Sequence, residues 1–170
     1  SATPTSISKT SASVWVLGFT ATGTPNGSEV MTVVPASATS IYDVAGNAAS
    51  TSQNNNTATL TEKVAPTMTI TAAEVSDGGT SNDATLSLTF TSSEATTNFA
   101  EADITISGGS LSSFAATSST VYTATFTPSG AGATTIDVAS SKFTDPAGNN
   151  NTAATQFNWT YDATAPTLNS

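Results

Sequence analysis

Apolar and hydroxyl-bearing residues alternate along much of this chain, with the period of two that marks a strand burying one face. Thr85-Leu86-Ser87-Leu88-Thr89-Phe90-Thr91 shows it most plainly, with the large apolar side chains on one side and the hydroxyls on the other. The same pattern predicts strands over 67–71 (Met68 and Ile70 inward), 103–107 (Ile104, Ile106), 121–127 (Tyr122, Ala124, Phe126), 134–138 (Ile136, Val138) and 156–161 (Phe157, Trp159, Tyr161), with a further short strand over 111–114. Turn-forming clusters separate them: Asp77-Gly78-Gly79, Gly108-Gly109, Pro128-Ser129-Gly130 and Pro146-Ala147-Gly148-Asn149. No segment carries a helical period. Seven short strands with turns between them predict an all-β chain folded as a two-sheet β-sandwich.

The pattern also repeats. Ala65-Pro66-Thr67 recurs as Ala165-Pro166-Thr167, and Asp43-Val44-Ala45-Gly46-Asn47 recurs as Asp145-Pro146-Ala147-Gly148-Asn149. Val14-Trp15-Val16-Leu17-Gly18-Phe19-Thr20 aligns with Val121-Tyr122-Thr123-Ala124-Thr125-Phe126-Thr127. A period near 100 residues is that of one immunoglobulin-like sandwich. The expected organisation is therefore tandem. Residues 1–65 hold the C-terminal half of a first repeat, with strands near 14–20, 30–34 and 57–63; residues 66–165 form a complete repeat; residues 166–170 begin another. The apolar face of the first half, with Trp15, Leu17 and Phe19, needs a partner sheet from preceding sequence or from another chain. With no initial Met and no visible signal peptide, the chain reads as a piece of a longer protein.

Composition narrows the function. Twelve acidic residues against three lysines leave a net charge of -9, and Arg, His and Cys are absent. That balance argues against nucleic-acid binding and against docking on anionic lipid. No apolar run approaches the roughly 20 residues of a membrane helix. Without His or Cys there is no Ser-His-Asp or Cys-His nucleophile and no thiolate or imidazole zinc site. Lys9, Lys63 and Lys142 are not placed beside a serine by any motif. A glycosidase pair from Glu94, Glu101 and Asp103 would sit on a domain with no evident cleft, so loop acids facing solvent are the better reading.

Taken in order, several pieces resemble the bacterial immunoglobulin-like repeats of large surface adhesins. They are Ala65-Pro66-Thr67, the 86–90 strand with Ser93-Glu94, residues 99–104, Gly108-Gly109, the 122–126 strand, residues 145–149, and Asp162-Ala163-Thr164-Ala165-Pro166. The resemblance spans residues 66–165 and the matching half of 1–65. It implies secreted domains joined end to end that act mostly as passive extenders, some of them binding calcium.

Calcium takes hard oxygen ligands. A seven-strand sandwich brings the loop after residue 90 and the Asp145 loop to one end, so Glu94, Glu101, Asp103, Asp145 and Asn149 are candidate calcium ligands, with Asp43 and Asn47 in the same part in the first copy. Such ions would sit at junctions between repeats. The simpler reading is that Asp145 and Asn149 close their own turn by Asx hydrogen bonds. Asp77 and Asp83 lie in a loop at the other end. Asn-x-Ser/Thr sequons begin at Asn26, Asn55, Asn150 and Asn158, and Asn55 and Asn150 fall in equivalent loops, which makes them the glycosylation candidates. The inward alternation of Trp15, Tyr122, Phe126, Phe157, Trp159 and Tyr161 assigns them to cores rather than to a sugar-stacking platform, and leaves a carbohydrate-binding module as the weakest reading.

Two functions stand out. One is a structural spacer of an extracellular adhesin or surface fibre, about 40 Å per domain, in contact only with neighbouring repeats of its own chain. The other is a subunit of a self-assembling filament, its first half domain completed by an identical chain. Both place the chain outside the cell or on its surface, and neither is an enzyme.

Overall fold

The computed structural model describes residues 2–37, 39–50, 52 and 54–168. The chain divides into two compact units, Ser1–Val64 and Ala65–Ser170. Among the described residues there is no α-helix, only a single 3-10 turn at Glu101–Asp103, and no helix is long and apolar enough to cross a membrane.

The first unit contains β1 (Ala2–Lys9), β2 (Trp15–Ala21), β3 (Val30–Thr32) and β4 (Thr57–Thr59). β1 and β2 form an antiparallel hairpin, and β3 and β4 pair antiparallel in a separate ladder. β1 was not expected: its sequence, ATPTSISK, has one large apolar residue and no alternation to reveal it. β3 and β4 are shorter than the spans 30–34 and 57–63, although single bonds continue the pairing beyond both ends, from Val33 N–H to Asn56 O (2.8 Å) and from Leu60 N–H to Glu29 O (2.9 Å). Among the described residues neither ladder has a sheet packed over its apolar side chains. Trp15 is 57% exposed and Leu17 38%, so the side chains expected in a core lie open in this unit.

The second unit is a closed sandwich. Its strands are β5 (Met68–Ala72), β6 (Gly79–Ser81), β7 (Leu86–Ser92), β8 (Ile104–Ser107), β9 (Gly109–Ala116), β10 (Val121–Pro128), β11 (Gly132–Val138) and β12 (Phe157–Tyr161). One sheet has the order β5-β7-β10-β9 and the other β6-β12-β11-β8. With β6 set aside, this is the ABED and CFG arrangement of immunoglobulin-like sandwiches. Every predicted strand of this unit is present. The eighth, β6, is three polar or small residues running parallel to β12. Asp77 holds it by accepting the N–H of Asn158 on β12 (2.7 Å).

Two local features set the shape. β8 and β9 lie in different sheets yet are separated by Gly108 alone. Gly108 has φ of 79°, and a Cβ at Gly109 would lie 2.4 Å from the Phe126 ring and from Thr127 O, so this corner requires glycine. The register between β9 and β10 slips by one residue opposite Thr123–Thr125, where Ser113 takes φ of 56°. This bulge lets Leu111 and Phe114, three residues apart, both pack on the core.

The inward faces of β5, β7, β10, β11 and β12 meet in one core. Phe99, in the loop between β7 and β8, is its hub: its ring lies 5.0–5.9 Å from those of Tyr122, Phe143, Phe114 and Phe90. Trp159 fills the other end against Phe126 and Tyr161. Its indole N–H donates to Ser81 Oγ (3.0 Å), which satisfies the one polar atom it buries. Truncating Phe99 removes contacts to four rings at once. Phe99→Ala should lower the unfolding free energy of this unit by about 3–5 kcal/mol, read by urea denaturation; a loss below about 1 kcal/mol would remove Phe99 from the centre of the core.

Candidate functional site

Three of the residues singled out for chemistry, Glu94, Asp145 and Asn149, gather where the second unit begins. Pro66 O accepts the N–H of Thr152, and Thr67 exchanges bonds with Ser93, its carbonyl taking Ser93 N–H and its N–H reaching Ser93 Oγ, all at 3.0 Å. Thr96 N–H donates to Ser119 O (2.9 Å), Thr97 N–H to Thr144 O (3.0 Å), and Thr144 N–H to Asn98 Oδ1 (2.8 Å). The entering segment, the loop after β7, the β9–β10 turn and the loop after β11 are thus knitted into one end of the sandwich.

Asp145 stands at the middle of this end and is 2% exposed. Its carboxylate accepts the backbone N–H of Asn149 at Oδ1 (2.9 Å) and the Asn149 side-chain N–H at Oδ2 (2.8 Å). Main-chain bonds complete the loop, from Asp145 N–H to Asn149 O and from Gly148 N–H to Asp145 O, both at 3.2 Å. Gly148 supplies the φ of 89° that the turn needs. Asp43 and Asn47 make the same four bonds, at 2.8–3.1 Å, with Gly46 at φ of 90°. Both copies of the motif are therefore closed Asx loops, one buried and one exposed. The Asn47 side-chain and backbone N–H groups hold the Asp43 carboxyl below the ordinary aspartate value of 3.8.

Of the acids expected to converge, Glu94 and Asp145 do: their carboxylate oxygens lie within 4.8 Å of each other. Glu101 and Asp103 lie outside that pairing on the 3-10 turn, where Asp103 accepts the N–H of Ala100 (2.9 Å) and caps the turn. Asp77, at the opposite end, serves β6. Asn55 and Asn150 are both exposed. Tyr122, Phe126, Phe157 and Trp159 are buried and Tyr161 packs against them, which places these aromatics in the core and not on a platform. The Lys9 ammonium sits 5.4 Å over the Trp15 ring.

Sequence reasoning missed Asn151, the most heavily used polar side chain of this end. It is 3% exposed. Its Oδ1 accepts the N–H groups of Lys142 (2.7 Å) and Phe143 (3.0 Å), and its Nδ2 donates to Ala139 O (2.9 Å) and Thr152 O (2.7 Å). The Phe143 N–H, the buried one of these partners, would otherwise cost about 1–3 kcal/mol. Asn151 is the last of three consecutive asparagines, and only a buried partner set distinguishes it from the two before it. In the first unit Ala49 takes its place: Ala49 N–H bonds Ile41 O as Asn151 N–H bonds Phe143 O.

The geometry is that of loop closure and inter-strand stapling by amide–carboxylate bonds, with one pair of hard oxygen donors at the entry end. Residues 62–161 match the family of the bacterial Ig-like domain. Neither the curated proteins nor the solved structures contain a match to the chain.

The Asp43 loop carries a measurable pH signature. The folded carboxyl titrates below its unfolded value, so its stabilising contribution is complete above that value and is lost as pH falls through the folded one. An NMR titration should place the Asp43 midpoint below 3.8, with Asn47→Ala raising it by removing the side-chain bond and keeping the backbone one. Equal midpoints in the two proteins would mean that the Asn47 side-chain bond does not form in solution.

Proposed function

Because the chain belongs to the bacterial immunoglobulin-like domain family, we propose that it is a spacer of an extracellular adhesin or surface fibre, holding a distant binding region away from the cell. The family's domains are structural parts of extracellular and surface proteins and are typically non-enzymatic. The observation that carries the spacer reading is the path of the chain through the second unit. It enters at Pro66 and Thr67, beside Thr152 and Ser93. It leaves after Tyr161, which pairs with Gly132 and Ser81 at the other end of the strands. A domain entered at one end and left at the other extends a fibre each time it is repeated. A domain with both termini at one end would hang from it as a side group. The repeated motifs at a spacing near 100 residues support the tandem arrangement, with residues 66–165 as one full repeat.

Extending the chain by one, two and three further copies of residues 66–165 tests this. Small-angle scattering should show the maximum dimension rising by about 40 Å per copy. A radius of gyration that grows only as for a compact globule would overturn the reading.

A second element of the proposal concerns Glu94 and Asp145. Two carboxylates at this spacing, one of them buried, offer the oxygen chemistry that Ca²⁺ requires. We propose that they supply carboxylate ligands to calcium, with carbonyls and water completing the shell. Calcium should then raise the melting midpoint relative to chelator, and Glu94→Gln should abolish the difference. The same midpoint with calcium and with chelator rejects the ion and leaves the Asx loop as the whole function of Asp145.

A further inference from the structure

The four strands of the first unit correspond to the last four of the second. β1–β2 matches β9–β10. The connecting turns make the same bonds, from Thr10 and Ser11 N–H to Val14 O in one and from Thr117 and Ser118 N–H to Val121 O in the other. Each first strand also carries one register slip against its partner. β3–β4 matches β11–β12, both antiparallel, and the loops between them close through the same kind of isolated bridge, Tyr42–Ala48 and Thr144–Asn150.

The complete unit shows what belongs over the open one. β10 has a second neighbour, β7, and β11 has a second neighbour, β8. β2 and β3, which stand in their places, lack these neighbours among the described residues. Position by position, Trp15, Leu17 and Phe19 correspond to Tyr122, Ala124 and Phe126. Tyr122 is 6% exposed where Trp15 is 57%. Ile41, the counterpart of Phe143, is 55% exposed, whereas Phe143 is covered by Phe99. The difference therefore lies in the missing cover and not in the half itself.

From this we infer that residues 1–64 are the receiving half of a sandwich completed by a second block of the kind formed by residues 66–108, lying directly ahead of residue 1 in the same polypeptide. In the second unit the covering strands β5, β7 and β8 come from the same polypeptide, directly ahead of β9–β12 in sequence. The link between covering and receiving parts in the complete unit is Gly108 alone, so a block in that position needs no longer connection. The inference rests on the immunoglobulin-like reading and deepens it by naming the partner.

The test joins a copy of residues 66–108 ahead of residue 1 and compares it with the chain as it stands. The chain has two tryptophans, one exposed and one buried. In the unextended chain acrylamide should quench the Trp15 emission, and β2 and β3 amides should exchange rapidly. In the extended chain the accessible emission should fall several-fold and the outward amides of β2 and β3 should become protected. The same added block carrying Leu88→Asp should leave both as before. Unprotected β2 and β3 beside a folded added block overturns the inference, as does equal protection by the Leu88→Asp block. So does an unextended chain that is already a dimer with Trp15 covered, which would make a second copy the occupant. The residues encoded directly ahead of residue 1 give an independent readout: they should show alternating apolar strands ending in a glycine corner, and a helix or an unrelated domain there overturns the inference even if the extended chain does not fold. A failure of repeat arrays to lengthen would remove the spacer reading and leave this result intact, so the two fail separately.

Discussion

Everything in this chain depends on one requirement: a pleated sheet with one apolar face must have that face covered by another sheet. In the second unit the requirement is met across the gap between β5-β7-β10-β9 and β6-β12-β11-β8. Two stacked sheets stand about 10 Å apart, a distance that leucine, isoleucine and valine from both sides can fill along most of its length. The ends are wider. There the fold uses aromatics, Phe99 with Phe143, Phe114 and Tyr122 at one end and Trp159 with Phe126 and Tyr161 at the other. The chain is poor in large residues and rich in Thr, Ser and Ala, so these few rings carry a large share of the burial. In the first unit the same requirement is unmet, and the consequence is visible residue by residue.

Alternation made the central strands legible because burial of one face writes itself directly into the sequence. What it could not reveal falls into two kinds. β1 and β6 are edge strands whose side chains bury little, so their polar sequences carry no period; backbone bonding to a neighbour, or a carboxylate such as Asp77 holding Asn158, fixes them instead. Phe99 and Phe143 lie outside the strands, and their burial is decided by where two loops meet in space. Asn151 belongs with them. It is one asparagine among three by sequence, and the only one of the three that is buried.

The candidate site was legible to a similar degree. The two Asp-x-Ala-Gly-Asn motifs were recognisable because an Asx loop is a local structure, complete within five residues. The meeting of Glu94 with Asp145 required the sandwich topology as well, which the strand count supplied. The same topology groups Glu101 and Asp103 with them, but the 3-10 turn at 101–103 claims Asp103 for its own cap.

The contrast between the two units separates what is local from what is not. The Asp43 loop, the Thr10–Val14 turn and the β1–β2 and β3–β4 ladders all keep their bonds although no core lies over them. These bonds join residues close in the chain, or strands of one half. The burial of Tyr122 and Phe143, by contrast, depends on Phe99 from the other half, itself packed on Phe90. A receiving half can therefore hold its turns and registers without its cover, while its apolar side chains stay exposed. Apolar strands left open in this way are prone to aggregate, and in the second unit the one-residue connection at Gly108 holds covering and receiving strands at high effective concentration.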